Sequence, residues 1–486
     1  MLRHTYIALT RRLLPAVTLA ACAFMASGQV EEQRLRVSDR AAQVNAPTTQ
    51  PGGFAVNAPY TPSRASAKTS LTLDEAIAYA LANSPMLEGE RLQRAIAETT
   101  NEIARARWKP QAGVNVDAQH NFRLPVSIVP DFENPESGET QAVTFGAVNT
   151  ATTAFYVDQL LYSPEIIRDV RLSDPLVRSA ELAIAEVARD LRLDVSTAFY
   201  ETLRAQEQLT LARQDIERLE RALRDAELRS EGGLDSKVPR LRARIALNDA
   251  RAREEGFAER LESQRAQLAQ LLGYETDAQE LRLAYTYEEI ERESTAVGRP
   301  ELAPARRAEI RRLQTDRRAQ ELRTEYAENS WLPSVSLGAG YDFSWLNNEI
   351  DALFGRTFRS SYGALTVRMP FFRGGARFRE VELARIRETQ LDKRIASTTN
   401  LIEAEYAVAD NDLTAALATL QAARANRDLA REVYETVRLQ YREGITPFLD
   451  VVIAENDLQA ARNQSLNATI DAAIARVRLR RAAGTL

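Results

Sequence analysis

The sequence predicts a mainly α protein with a small β part: long antiparallel helical hairpins, and four short amphipathic strands per chain. Three observations predict it. Two runs of about 65 residues, roughly 164–229 and 375–440, hold a helical pattern with almost no internal stop signal. Four short segments alternate apolar and polar residues with a period of two. The order helix, two strands, long helix, Gly turn, returning helix occurs twice.

Composition agrees with long helices. The chain has 486 residues, too many for one ordinary compact domain, and 27% are charged against 7% aromatic. Net charge is −5 with acids and bases interleaved, so no basic field for nucleic acid is present. The one cysteine, Cys22, cannot form a disulfide within the chain. With only two histidines, His4 and His120, a Cys/His zinc site is excluded by count. No metal or cofactor is expected. His120 lies in a polar, aromatic, loop-like stretch and reads as a solvated histidine rather than a catalytic base.

The N-terminus carries Arg3, Arg11 and Arg12 ahead of a short apolar run at 13–20, the pattern of a secretory signal peptide. Residues 19–22, "LAAC", resemble a bacterial lipobox and would make Cys22 an acylated first residue after a 1–21 signal. "ASG" at 26–28 offers a second cut, ending the signal at 28. The lipobox is preferred. Residues 22–69, rich in Gln, Pro, Ser, Thr and Ala, read as a linker or extended arm. No later helical run of about 18 apolar residues appears, so any membrane insertion must use strands.

Organised pattern begins at "SLTLDEAIAYALANSP", 70–85, where Ser70 or Thr72 can cap and Ile77, Ala80 and Leu81 share a face. From there the chain repeats itself. "RWKPQAGVNVDA" (107–118) aligns with "SWLPSVSLGAGY" (330–341). "GLDSKVPRLRARIALNDAR" (233–251) aligns with "GITPFLDVVIAENDLQAAR" (444–462). The copies occupy 70–283 and 284–486. Each opens with a helix, at roughly 72–108 and 303–331. Each long helix would span about 100 Å at 1.5 Å per residue. Ile216, Leu219, Leu223, Ala226 and Leu413, Leu417, Leu420 give a coiled-coil spacing. Gly444 is expected to stop one helix, with Thr446 as N-cap and Pro447 as first residue of the next. Gly233 takes the matching place in the first copy.

The strands set the solvent. At 334–344, Val335, Leu337, Ala339, Tyr341 and Phe343 oppose Ser334, Ser336, Gly338, Gly340, Asp342 and Ser344. At 363–371, Leu365, Val367, Met369 and Phe371 oppose Ala364, Thr366, Arg368 and Pro370. In the first copy Ala112, Val114, Val116 and Ala118 oppose Gln111, Gly113, Asn115 and Asp117. The strand near 152–162 is less clean: Phe155, Val157 and Leu161 share their face with Gln159. A soluble half-buried sheet alternates in the same way. An export signal without a spanning helix favours an outer-membrane barrel, with Trp331, Trp345, Phe371 and Phe372 near strand ends as an aromatic girdle. Four strands cannot close a barrel, and an open edge in lipid leaves backbone groups unpaired, so copies must share one. Segments 119–142 and 345–358 would be the outward loops.

Together these features resemble the TolC family of outer-membrane efflux proteins. The resemblance rests on "LTLDEAIAYALANSP", the two W-x-P strand entries, "RPEL" (299–302), "MPFFRGG" (369–375) and "YREGITPFLDVVIAENDLQAAR", and it covers about residues 70–484. It implies a homotrimer in the outer membrane with a twelve-strand barrel and an α-barrel of helical hairpins through the periplasm. It also implies passive conduction rather than enzyme chemistry, with a periplasmic adaptor and an inner-membrane pump as partners in efflux or type I secretion. Gly233, Leu234, Gly444, Ile445 and Pro447 then become adaptor-contact tips. Asp235, Glu443 and Asp450 become a possible acidic gate ring, or else solvated charges at helix ends. Arg368 and Asp342 are read as lumen-facing, and Gly374–Gly375 as the strand-to-helix joint. Gly338 and Gly340 form a lone G-x-G within a strand and no phosphate loop. Two other classes stand against this reading. A soluble periplasmic coiled-coil scaffold would be extractable without detergent. An exported enzyme using paired carboxylates lacks any pattern that brings a chosen pair together.

Overall fold

Thr72 begins the first helix, α1 (Leu73–Asn83), through a reciprocal capping box. Its hydroxyl accepts from the Glu75 N–H at 3.3 Å, and the Glu75 carboxylate accepts from the Thr72 N–H at 3.1 Å. Of the two expected caps, Thr72 is therefore the one used. Pro85 then opens α2 (Pro85–Ala106) at a position where its missing N–H costs nothing. The computed structural model describes residues 71–130, 140–231, 236–273, 283–284, 289–291 and 298–486. All belong to one unit, 62–486. Cys22, the signal and arm segments, and Gly233, Leu234 and Asp235 lie outside the described residues.

The remaining order is β1 (Gln111–His120), β2 (Val126–Pro130), β3 (Thr140–Thr144), β4 (Asn149–Tyr162), α3 (Pro164–Glu231) and α4 (Lys237–Leu272). Then follow α5 (Ala308–Glu328), β5 (Ser334–Asn347), β6 (Thr357–Arg368), α6 (Ala376–Arg442) and α7 (Phe448–Ala483). The two long helices have 68 and 67 residues, or about 100 Å each. Pro175 lies inside α3 and removes one rung of its hydrogen-bond ladder. Leu172 and Leu182 are buried on either side of it.

The returning helices are half as long as their partners, at 36 residues each. Each long helix is covered by two helices placed end to end. On α3, α4 covers the C-terminal part, where Glu254 meets Arg213 and Glu220 meets Arg251, and α2 covers the N-terminal part, where Arg94 meets Glu181. At that junction Gly273 is left-handed (φ +77°), and a Cβ there would lie 2.7 Å from the Asn83 carbonyl oxygen. Only glycine satisfies both demands. On α6 the same division is made by α7 and α5, which also touch α3. The helix order is thus α2–α3–α5–α6 at the sheet end and α4–α3–α7–α6 at the far end. The core sits where these sets meet. Val195, Phe199 and Leu203 of α3 pack with Leu268 and Leu272 of α4, Ala76 and Ala80 of α1, and Ile470 and Ile474 of α7. A fully buried Leu or Phe there contributes about 1.5–3 kcal/mol.

The four long strands form one antiparallel sheet in the order β1-β4-β5-β6. Four expectations need correction. The opening helix expected at roughly 72–108 is two helices, α1 and α2, because the residue before Pro85 is pushed out of the helical region and Ser84 is extended (ψ 121°). Pro447 is itself the N-cap and α7 begins one residue later, at Phe448. A proline fixes its own φ but leaves ψ free to be extended (155°), so Thr446 is not needed as a cap. The last strand covers 357–368 rather than 363–371, so Met369, Pro370 and Phe371 fall in the joint after it. The first outward segment is not all loop: β2 and β3 pair as a separate ribbon. The far end of β4 departs from regular pairing. A bulge between Leu160 and Tyr162 absorbs one residue, so Tyr162 rather than Leu161 meets Val335.

Candidate functional site

Register places the faces of the sheet. On one face run the rows Ala112–Val157–Ala339–Gly363, Val114–Phe155–Tyr341–Ser361 and Val116–Thr153–Phe343–Arg359. On the other run Gln111–Asp158–Gly338–Ala364, Gly113–Tyr156–Gly340–Tyr362 and Asn115–Ala154–Asp342–Ser360. Asp342 and Arg368 share this second, more polar face. The apolar face lies open: Val114, Val116, Phe155, Val157, Leu365 and Val367 are 45–74% exposed. Gln159 interrupts it, but its amide donates to the carbonyls of Trp108 (2.6 Å) and Leu160 (2.9 Å), so it is satisfied at the strand entry. Arg359 also sits on this face, its guanidinium 5.9 Å from the Phe343 ring centroid. At the outer end His120 Nδ1 lies 2.7 Å from Asn149 Oδ1, in a polar network that ties the sheet ends to Asn348. This is a structural role for that histidine.

Among the described residues, both outer strands of the sheet have a free edge. β1 is antiparallel to β6 by way of β4 and β5, so β6 of one copy can pair with β1 of another without breaking the alternation. The helices continue these two seams. Beneath β6, α6 exposes Phe378, Leu383, Ile386, Leu401 and Val408; beneath β1, α2 exposes Leu92, Ile96 and Ile103, and α4 exposes Val238, Leu241 and Ile245. Such stripes were not singled out in the sequence, because each residue also reads as ordinary core spacing.

At the far end α6 turns into α7. Gly444 is left-handed (φ +77°). Its N–H donates to the Tyr441 carbonyl and the Ile445 N–H to that of Gln440 at 2.8 Å, a Schellman closure. Tyr441 and Phe448 meet across the turn with ring centroids 5.6 Å apart and planes tilted by 58°. Ile445 is 71% exposed at the apex. Glu443 is the C-cap of α6, and Asp450 lies in the first turn of α7, where the helix dipole favours a carboxylate. The structure thus gathers Glu443, Gly444, Ile445, Pro447 and Asp450 at one tip.

Two charge clusters tie helices together. At the waist Arg307, almost fully buried, donates to Glu309 (2.7 Å), Glu405 (3.0 Å) and the Ala482 carbonyl (2.9 Å). Arg189 joins Glu309 at 2.8 Å. Arg481 bridges Glu405 and Asp190. Burial alone would raise the Glu309 carboxyl, but hydrogen bonds from Arg307 and Arg189 overcome it and hold it down to about 2. Nearer the tip, Asp215 of α3 accepts from Arg218 and from Gln459 of α7, and Arg218 lies 3.5 Å from Glu455. Burial pushes Asp215 up to about 6; Arg218 and Arg462 oppose the shift and Glu455 adds to it. Both clusters join residues more than 70 positions apart, which no local pattern signals.

Known proteins share this organisation. The family model described as outer membrane efflux protein matches residues 174–274 and 300–485, more than half the chain. Protein CyaE of Bordetella pertussis is 28% identical over 316 residues, 60% of this chain. The match spans 64% of that relative's length. Among solved structures, CusC superposes with a TM-score of 0.66 at 18% identity, over 84% of this chain and 91% of CusC. The Campylobacter jejuni CmeC outer membrane channel gives 0.65 at 15% identity, over 90% and 94%. VceC of Vibrio cholerae gives 0.62 at 18%, over 85% and 96%. These likenesses establish the fold: mostly helix with a small sheet, as in TolC-like channels.

Proposed function

Since the chain belongs to the outer membrane efflux protein family, we propose that three copies assemble into one channel that crosses the outer membrane through a shared twelve-strand barrel. The long helices continue it through the periplasm as an α-barrel. Conduction is passive: substrates arrive from an inner-membrane pump through a periplasmic adaptor, in an efflux or type I secretion system. No catalytic residue is assigned.

The observation that carries this reading is the sheet. Among the described residues it has four strands, two free antiparallel edges and an uncovered apolar face. In water both features are liabilities. In a membrane the apolar face meets lipid, and the edges disappear when copies close the ring. Both seams run on into the helices, so closure joins α6 of one copy to α2 and α4 of the next. A soluble coiled-coil scaffold would bury those strands over its own core.

The remaining assignments follow from it. Residues 70–283 and 284–486 are two copies of one unit, supported by their shared element order. Cys22 is the acylation site. The α6–α7 tip, with Gly444, Ile445 and Pro447, contacts the adaptor together with Gly233 and Leu234. Asp235, Glu443 and Asp450 approach the axis there as an acidic ring. The test is mass and conductance together. Detergent-extracted protein is expected at three times the chain mass, and it should form stable pores in planar bilayers. A water-soluble monomer with no conductance would refute the reading.

A further inference from the structure

One transverse row on the polar face of the sheet has a regular composition: Gly113, Tyr156, Gly340, Tyr362, one residue from each strand in order. The glycines are there for the tyrosines. A Cβ at Gly113 would lie 2.5 Å from Tyr156 Cζ, and one at Gly340 would lie 2.7 Å from Tyr362 Cζ. Each ring therefore lies across the neighbouring glycine, against the wall of the sheet. The rows on either side, about 7 Å away along the strands, carry Asp158 and Asp342. Asp158 repeats the device, since a Cβ at Gly338 would lie 3.0 Å from its Oδ1. Asp342 accepts from Ser360 Oγ at 3.2 Å. Both carboxylates stay on the tyrosine face.

We propose that this row forms an aromatic collar inside the barrel that binds organic cations in transit. The inference rests on the channel reading, which turns the polar face inward. Three copies then present six tyrosine rings around the lumen in a band that follows the tilt of the strands, with three Asp158 on one side of the row and three Asp342 on the other. Aromatic faces and flanking carboxylates attract a cation, and a cation carrying apolar groups gains contact with the rings as well. Because each tyrosine lies over a glycine, the collar offers its ring faces without narrowing the passage. The ligand class is a weakly hydrated monovalent organic cation; small inorganic ions feel only the carboxylates.

The test uses the full chain in planar bilayers, with tetraphenylphosphonium as the probe and tetraphenylborate as its anionic twin. Wild type is expected to be blocked by the cation and not by the anion. In Tyr156→Leu/Tyr362→Leu, which keeps apolar volume but removes the rings, block should weaken by roughly tenfold while the potassium-over-chloride preference stays. Asp158→Asn/Asp342→Asn should lower both. Tyr156→Phe/Tyr362→Phe, the variant least disturbing to assembly, should keep the block. Equal block by both probes in wild type, or unchanged block in the leucine variant, would overturn the collar and leave the channel standing. A wild type that forms no pore would remove the channel reading and the collar with it.

Discussion

Arg307, at the start of α5, donates a hydrogen bond of 2.9 Å to the carbonyl of Ala482 in the last turn of α7. One guanidinium thus joins two helices end to end, while Glu309 and Glu405 neutralise it. Helix α7 ends in carbonyls that need donors, and α5 begins where negative charge is welcome. Gly484 lets the chain end close over the arginine stem, since a Cβ there would sit 3.2 Å from Arg307 Cγ.

Replacing this arginine breaks the joint. Arg307→Met keeps the stem but strands the Ala482 carbonyl and part of Glu405. Removing one partner of a buried ion cluster costs about 3–5 kcal/mol, and the lower end applies because Glu309 retains Arg189. Denaturant unfolding of the purified protein should show that loss. A change within experimental error would mean the cluster adds nothing.

Acidity acts on the two clusters with opposite signs and in separate windows. Asp215 titrates near 6 in the folded protein, above its ordinary 3.8. The folded state therefore holds the proton more tightly, and stability falls as pH rises from about 4 to 6. Glu309 is depressed to about 2 from 4.5, so its contribution is present above 4.5 and disappears only below it. Between pH 7.5 and 5 the Asp215 effect acts without opposition from Glu309. Melting temperature should rise on acidification over that range, and the rise should shrink in Asp215→Asn. A melting curve that falls instead would contradict the burial of that carboxyl.

The tip glycine is a conformational requirement. At φ +77° an alanine costs roughly 1–2 kcal/mol. Gly444→Ala should weaken the turn by about that amount and speed hydrogen exchange at the Ile445 amide, which is bonded to Gln440. Unchanged exchange there would show that the turn tolerates a side chain.

The two faces of β6 can be told apart by charge. Leu365 lies on the apolar face and Thr366 on the polar one. Leu365→Arg should impair membrane insertion by about 2–4 kcal/mol if the site is near the midplane, whereas Thr366→Arg should insert normally. Heat-resistant oligomer recovered from membranes measures both. Equal tolerance would argue against lipid on the Leu365 face.

The sequence by itself determined the long helices, the four long strands and which of their residues share a face, because periods of 3.6 and 2 are local properties of the chain. It also marked the Gly444 turn, through a single glycine between two periodic runs. Its errors were local: the cap moved from Thr446 to Pro447, the final strand ended at Arg368, and the first outward segment held the β2–β3 ribbon. Tertiary structure alone decided what lies beside what. The Leu160–Tyr162 bulge, the Arg307 joint, the division of each long helix between two shorter partners, and the fit of Tyr156 over Gly113 all depend on residues distant in sequence. Their pairing is fixed only when register and packing bring their atoms into contact.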